Sequence, residues 1–128
     1  MSRRTALGQV LGHGSAKEGV AHWWAQRLTS VALVPLSVWL LVSLLALPGL
    51  DHATVAAWLR GGTTALLLVL LTVAAAWHSQ LGVQVVIEDY VHDRGWKMLA
   101  LGLSTFAHVL IAATAVLAVL RVALRGAL

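Results

Sequence analysis

Gly61–Asp93 reads GGTTALLLVLLTVAAAWHSQLGVQVVIEDYVHD. From Gly61 to Ile87 it carries no charged residue. That is longer than the about 20 residues needed to cross ~30 Å of hydrocarbon, so the segment reads as a tilted or protruding transmembrane helix. It ends in an acidic cluster, Glu88-Asp89-Tyr90, with Asp93 just beyond. His78 lies well inside the apolar run. An imidazole held in hydrocarbon is costly unless it is used or paired.

Two further runs have spanning length. One follows Arg27 and extends over 28–47, before Pro48-Gly49. Trp23 and Trp24 stand before it, at an aromatic-belt position, and Pro35 inside it predicts a kink. The other covers 98–120 and is followed by Arg121 and Arg125. Residues 48–60, with Asp51, His52 and Arg60, read as a loop, and 88–97 reads as a tight polar link. The 128 residues are 59% hydrophobic and 11% charged, too few charges to coat a soluble domain. The fold class is therefore an all-α membrane protein with three transmembrane helices. It divides into an N-terminal arm (1–27), an anchor domain (28–120, with spans about 28–47, 61–87 and 98–120) and a short tail (121–128).

The formal charge of +4 does not point to nucleic acid, because the basic residues flank the apolar runs. Arg3, Arg4, Lys17, Arg27, Arg94 and Lys97 lie on one side, against Arg60, Arg121 and Arg125 on the other. The N-terminus and the 88–97 link are expected in the cytoplasm and the C-terminus in the periplasm. Ser2-Arg3-Arg4 is similar to the start of a twin-arginine signal. The glycines and charges between it and Leu28 read instead as a surface arm, and nothing marks the cleavage point of a transit peptide. The chain has no cysteine, which excludes disulfides, iron–sulfur ligation and thiolate zinc within it.

His78 reads either as a packing histidine bonded to a neighbouring helix or as an axial ligand of haem iron. Gly82, one turn on, shares its face and leaves room for a flat macrocycle. His108 invites the same two readings. It lies about 15 Å from the link end of its helix, and His78 about 14 Å from that end of its own. The two imidazoles at equal depth are one way to ligate a single haem. Asp89 and Tyr90, about 16 Å along the helix from His78, are either ordinary boundary residues or a quinone site. A phenol donates to a quinone carbonyl, and an acid orients the ring or relays protons. Arg27 sets topology or pairs with an anion such as a haem propionate; His22, Thr29 and Ser30 lie near it. His13, His52 and His92 read as solvated.

The spacing His78, Gly82, Asp89-Tyr90 on the second of three spans, with Arg27 at the start of the first, resembles the small hydrophobic membrane-anchor subunit of succinate dehydrogenase, respiratory complex II. The resemblance covers the three-span layout and most of the length. It implies one haem b shared with a second membrane-anchor (cytochrome b) subunit, with His78 as one axial ligand and the other from the partner. It implies ubiquinone as substrate at Tyr90 and Asp89, and Arg27 near the propionates, with Gly82 and Ser30 lining the site. An iron–sulfur subunit and a flavoprotein subunit dock on the anchors, and succinate is oxidised in the flavoprotein, not here. His22 stands one residue nearer to the arginine than the family places its histidine, and Glu88 adds a second acid beside Asp89.

The expected function is thus the anchor subunit of succinate:ubiquinone oxidoreductase, in a bacterial inner membrane rather than a mitochondrial one. Two rivals remain. One is a stand-alone b-type electron-transfer cytochrome ligated by His78 and His108. The other is a non-redox membrane assembly protein whose histidines only pack helices.

Overall fold

The computed structural model describes residues 18–125. The expected arm over 1–17, with Arg3, Arg4 and His13, and the tail beyond 125 lie outside the described residues. Four helices follow one another: α1 (Glu18–Leu45), α2 (His52–Leu59), α3 (Gly62–Tyr90) and α4 (Arg94–Leu124). There is no strand among the described residues. Three of these helices, α1, α3 and α4, are long and apolar enough to cross a membrane.

The helices outrun the uncharged runs. α1 starts at Glu18, ten residues before the span expected at 28, so part of the expected arm is helical. α4 continues through Arg121 to Leu124. The reason is that a charge ends contact with hydrocarbon but not the backbone hydrogen-bond ladder, which continues into the headgroup region. α1 also runs unbroken through Pro35. Residues 48–60 differ more, because His52–Leu59 is helical. Asp51 caps it from an extended backbone, accepting from the N–H of Ala53 at 3.0 Å and of Thr54 at 3.1 Å. The Thr54 hydroxyl also donates to Asp51 at 2.6 Å. An acid followed by Ala-Thr-Val-Ala-Ala-Trp-Leu is a helix start that can be read from sequence.

α3 is the middle of the molecule. It packs on α1 along one side, on α4 along the other and on α2 near its start, whereas α1 and α4 do not pack on each other. The α3–α4 link is tight: Asp93 caps α4 by accepting from the N–H of Trp96 at 2.9 Å. Lys97 Nζ donates to the Glu88 carbonyl at 2.9 Å, closing the end of α3. This turn sets α3 and α4 antiparallel and side by side. At the opposite end Trp39 of α1 stacks on Trp58 of α2, centroids 6.0 Å apart.

Little is buried. Ala65 and Leu81 are the buried apolar residues among those described, and Thr29 is the buried polar one. Large apolar side chains such as Val31, Leu45 and Leu103 are exposed. This is the pattern of helices whose outer faces meet lipid or another membrane protein.

The cap at Asp51 makes a prediction about pH. The Thr54 hydroxyl, then the Thr54 backbone N–H, holds the Asp51 carboxyl below its ordinary value. A depressed folded pKa means that the cap is fully effective above the unfolded value and is lost as pH falls through the lower folded one. Asp51→Ala should speed amide hydrogen exchange at 53–55 at neutral pH while leaving the amides around His78 unchanged. Equal exchange in variant and parent would dismiss the cap.

Candidate functional site

His78 is half-buried on α3 and turned toward α1. Its Nδ1 lies 2.9 Å from Thr29 Oγ1. The Thr29 hydroxyl is also 2.8 Å from the Ala25 carbonyl and 3.0 Å from the Gln26 carbonyl, and it donates its single proton there. Its oxygen is then left to accept, so His78 donates its Nδ1–H to Thr29. That tautomer puts the ring's lone pair on Nε2. Gln26 Nε2, at 3.3 Å, donates to this lone pair.

The surroundings follow from helix periodicity. Residues three and four apart share a face, so His22, Gln26, Thr29 and Ser30 line one side of α1. Across from them stand His78 and Gly82 of α3. A Cβ on Gly82 would come within 4.0 Å of Gln26 Nε2, so glycine leaves this gap open. Ser30 Oγ donates to the Gln26 carbonyl at 2.8 Å, and its hydroxyl proton is thereby used within α1. Two polar atoms on this face, His22 Nε2 and Gln26 Oε1, are buried without a hydrogen-bond partner. In a low-dielectric site such atoms are costly to leave unmatched.

The other sequence candidates lie elsewhere. Arg27 is exposed on the outer side of α1, its guanidinium 5.2 Å from the Trp23 ring centroid in a cation–π contact. It does not touch His78. Asp89 and Tyr90 close α3 and are exposed, Tyr90 to 79%. Among the described residues, neither the Asp89 carboxylate nor the Tyr90 hydroxyl makes a hydrogen bond, so both are open to a ligand. The neighbouring Glu88 is engaged instead, accepting from Gln84 Nε2 at 2.8 Å.

His108 is not brought to His78's side of α3. Its Nδ1 donates to the Ser104 carbonyl at 2.8 Å within α4, which leaves Nε2 to accept from the Ser79 hydroxyl at 3.1 Å. Both ring nitrogens are therefore satisfied inside the chain, at the α3–α4 contact, while His78 points to α1. This geometry separates the two imidazoles that equal depth suggested for one iron.

Two features escaped sequence reasoning. Gln26 is central to the His78 site, and the signal was its i, i+3, i+4 spacing with His22, Thr29 and Ser30. The second is a polar file on α3. Gln80 Nε2 donates to Thr105 Oγ1 at 3.3 Å and to Gln84 at 3.5 Å, and Gln84 continues it to Glu88. Among the described residues no group of three or more His, Cys, Asp or Glu is placed to hold a metal ion.

Comparison with known proteins adds to this geometry. A family model described as the succinate dehydrogenase/fumarate reductase transmembrane subunit matches residues 1–120. A protein of Rickettsia bellii, described as a succinate dehydrogenase hydrophobic membrane anchor subunit, is 40% identical over 78 residues, 61% of this chain and 62% of the relative. A Rickettsia conorii protein of the same description is 38% identical over 79 residues, 61% of this chain and 63% of the relative. A succinate dehydrogenase membrane anchor subunit of Reclinomonas americana is 30% identical over 88 residues, 66% of this chain and 73% of the relative. The chain thus spans less than two thirds of the length of the two rickettsial relatives. No solved structure matches it. Three apolar helices and the rickettsial relatives place the chain in a bacterial inner membrane.

The gap at Gly82 gives a prediction. Gly82→Ala should be tolerated, because its added carbon meets Gln26 at ordinary contact distance. Gly82→Leu overpacks the α1–α3 contact, at a cost of about 1–3 kcal/mol. Denaturation in mixed detergent micelles should separate the two variants; equal midpoints would mean that α1 does not approach Gly82.

Proposed function

The chain belongs to the succinate dehydrogenase/fumarate reductase transmembrane subunit family, and from that premise we propose that it is an anchor subunit of succinate:ubiquinone oxidoreductase. In this reading it helps bind haem b and forms part of the ubiquinone-reduction site. The observation that carries it is the layout of α3. A histidine with Nδ1 tied and its lone pair on Nε2 stands within the span. An exposed acid–phenol pair ends the same helix about 16 Å away.

The residues around His78 fit a haem. Nε2 carries the ring's lone pair, which an iron would take in place of the 3.3 Å contact from Gln26; Gly82 keeps bulk away from it, and His22 Nε2 and Gln26 Oε1 are buried polar atoms that lack a match. His78 Nε2 would be one axial ligand. The second would come from a partner anchor subunit, since His108 faces Ser79 at the α3–α4 contact, away from the α1 side where His78 points. Arg27 stands just outside this face, at the end of α1 nearer the α3–α4 link, and would pair with a propionate. When bound, haem b supplies a one-electron redox centre inside the bilayer.

At the end of α3, Tyr90 donates its hydroxyl hydrogen to a quinone carbonyl. Asp89 orients the ring and passes protons from water. Reduction of the quinone to quinol takes two electrons and two protons. The electrons come from succinate through a flavoprotein subunit and an iron–sulfur subunit docked beside this helix end. That arrangement requires the α3–α4 link and the N-terminus to be cytoplasmic and the C-terminus periplasmic. Arg3, Arg4, Lys17, Arg27, Arg94 and Lys97 favour this orientation, six basic residues against Arg60, Arg121 and Arg125 on the other side.

Three substitutions in the purified complex test the reading. His78→Leu should abolish or shift the haem spectrum while succinate oxidation by an artificial acceptor persists; an unchanged spectrum rejects the ligand. Tyr90→Phe should depress quinone reduction at least tenfold with haem retained, and full turnover would remove Tyr90 from the site. His108→Leu should leave the haem spectrum intact. Loss of haem there would instead favour the stand-alone cytochrome.

A further inference from the structure

The buried threonine of α1 has a role that the proposed function does not require and the geometry supplies. Thr29 is 5% exposed, the least exposed polar residue described. Three polar atoms converge on its hydroxyl: the carbonyls of Ala25 and Gln26, and Nδ1 of His78. Carbonyls only accept, so the hydroxyl proton is directed to them and the oxygen faces the imidazole as an acceptor. Thr72 on α3 donates in the same way, to the Leu68 carbonyl at 2.8 Å, with no histidine hydrogen bond. The bond to a histidine is what sets Thr29 apart.

We infer that Thr29 is the positioning residue for the haem ligand: it accepts the Nδ1–H of His78, fixes the tautomer with the lone pair on Nε2, and aims that nitrogen across the α1–α3 contact toward Gln26. This rests on the haem reading given above. The companion role falls to Gln26. Its amide holds the Nε2 lone pair at 3.3 Å and moves aside when a metal takes that lone pair. Gln26 Oε1 is buried and without a partner, so among the described residues only the 3.3 Å contact with His78 holds the amide.

The chemistry has a direction. An oxygen accepting Nδ1–H makes the imidazole a stronger electron donor through Nε2, which favours oxidised iron. Removing the acceptor therefore raises the haem midpoint potential. It also loosens the ring, and loss of such a partner weakens metal binding by about 10–100-fold. Thr29→Val keeps the side chain's shape without the acceptor. Thr29→Ser keeps the acceptor, and Thr72→Val is the control for losing a hydroxyl bonded to its own helix.

The test is a potentiometric titration, with low-temperature electron paramagnetic resonance, of the haem in the purified complex. The expected result is an upward shift of midpoint and altered g-values in Thr29→Val, with Thr29→Ser and Thr72→Val at the wild-type values. A Thr29→Val complex that loses haem while Thr29→Ser keeps it at the wild-type potential also supports the role. Wild-type potential and g-values in Thr29→Val would overturn it, as would a Thr29→Ser shift as large as that of valine. If the wild-type complex contains no haem, the haem reading fails by itself. The full chain labelled with ¹⁵N-histidine then still reads the tautomer in detergent, and a His78 protonated at Nε2 would overturn the Thr29 assignment.

Discussion

The hydrogen bond from His78 Nδ1 to Thr29 Oγ1 joins α1 to α3, and α1 packs on no other spanning helix. Apolar burial is slight, since Ala65 and Leu81 are the buried apolar residues among those described. Among hydrocarbon tails there is no hydrophobic gain in bringing two apolar helices together, so close packing and interhelical hydrogen bonds must do it. Each such bond contributes roughly 0.6–2 kcal/mol in a bilayer. Here a small gap at Gly82 and the two contacts from α1 to His78 serve that purpose. The bond that holds α1 is also the bond that chooses the tautomer of His78. Architecture and candidate chemistry thus depend on the same two atoms.

The three spans were legible because hydrocarbon imposes length and apolarity on any segment that crosses it, and 61–87 satisfies both without a charge. Helix ends were less legible. The stretch from Glu18 to Arg27 is polar enough to read as an arm, yet it continues the helix, because water and headgroups tolerate a helical backbone as well as a coil. The short helix after Asp51 was hidden by Pro48-Gly49, which drew the whole interval into a loop, although the capping acid stood in plain view. His78, Gly82, Asp89 and Tyr90 were legible as an unusual series on one helix. Gln26 was not. It sits beside Arg27, whose charge dominates a reading by composition, and its importance comes from which side of α1 meets α3.

The two histidines show why depth alone misleads. His78 and His108 are each about ten residues from the link, so a rise of 1.5 Å per residue puts them at similar depth. A ring's direction is set separately, by a rotation of 100° per residue. His108 reaches Ser79, the next residue after His78, and that one step turns the contact toward α4 while His78 faces α1. A pair of equal depths needs matching azimuths before it can share an iron, and azimuth is fixed only when the helices pack.

The same rotation explains what the rest of α3 presents. Gln80, Gln84 and Glu88 recur every four residues, and with Thr105 they run from inside the span to its end. Thr105 and Ser79 are exposed in this chain taken singly. Hydroxyl and amide groups turned to lipid tails lose their water without full replacement, a state that membrane helices avoid by facing protein or a wet cavity. At the helix end, Asp89 and Tyr90 are likewise exposed, with their polar atoms uncommitted. A self-contained cytochrome would have closed such surfaces with its own side chains. A chain with exposed polar side chains along its central helix and buried polar atoms without partners on α1 makes chemical sense as one component of a larger membrane assembly, and this supports the anchor-subunit reading over the stand-alone one.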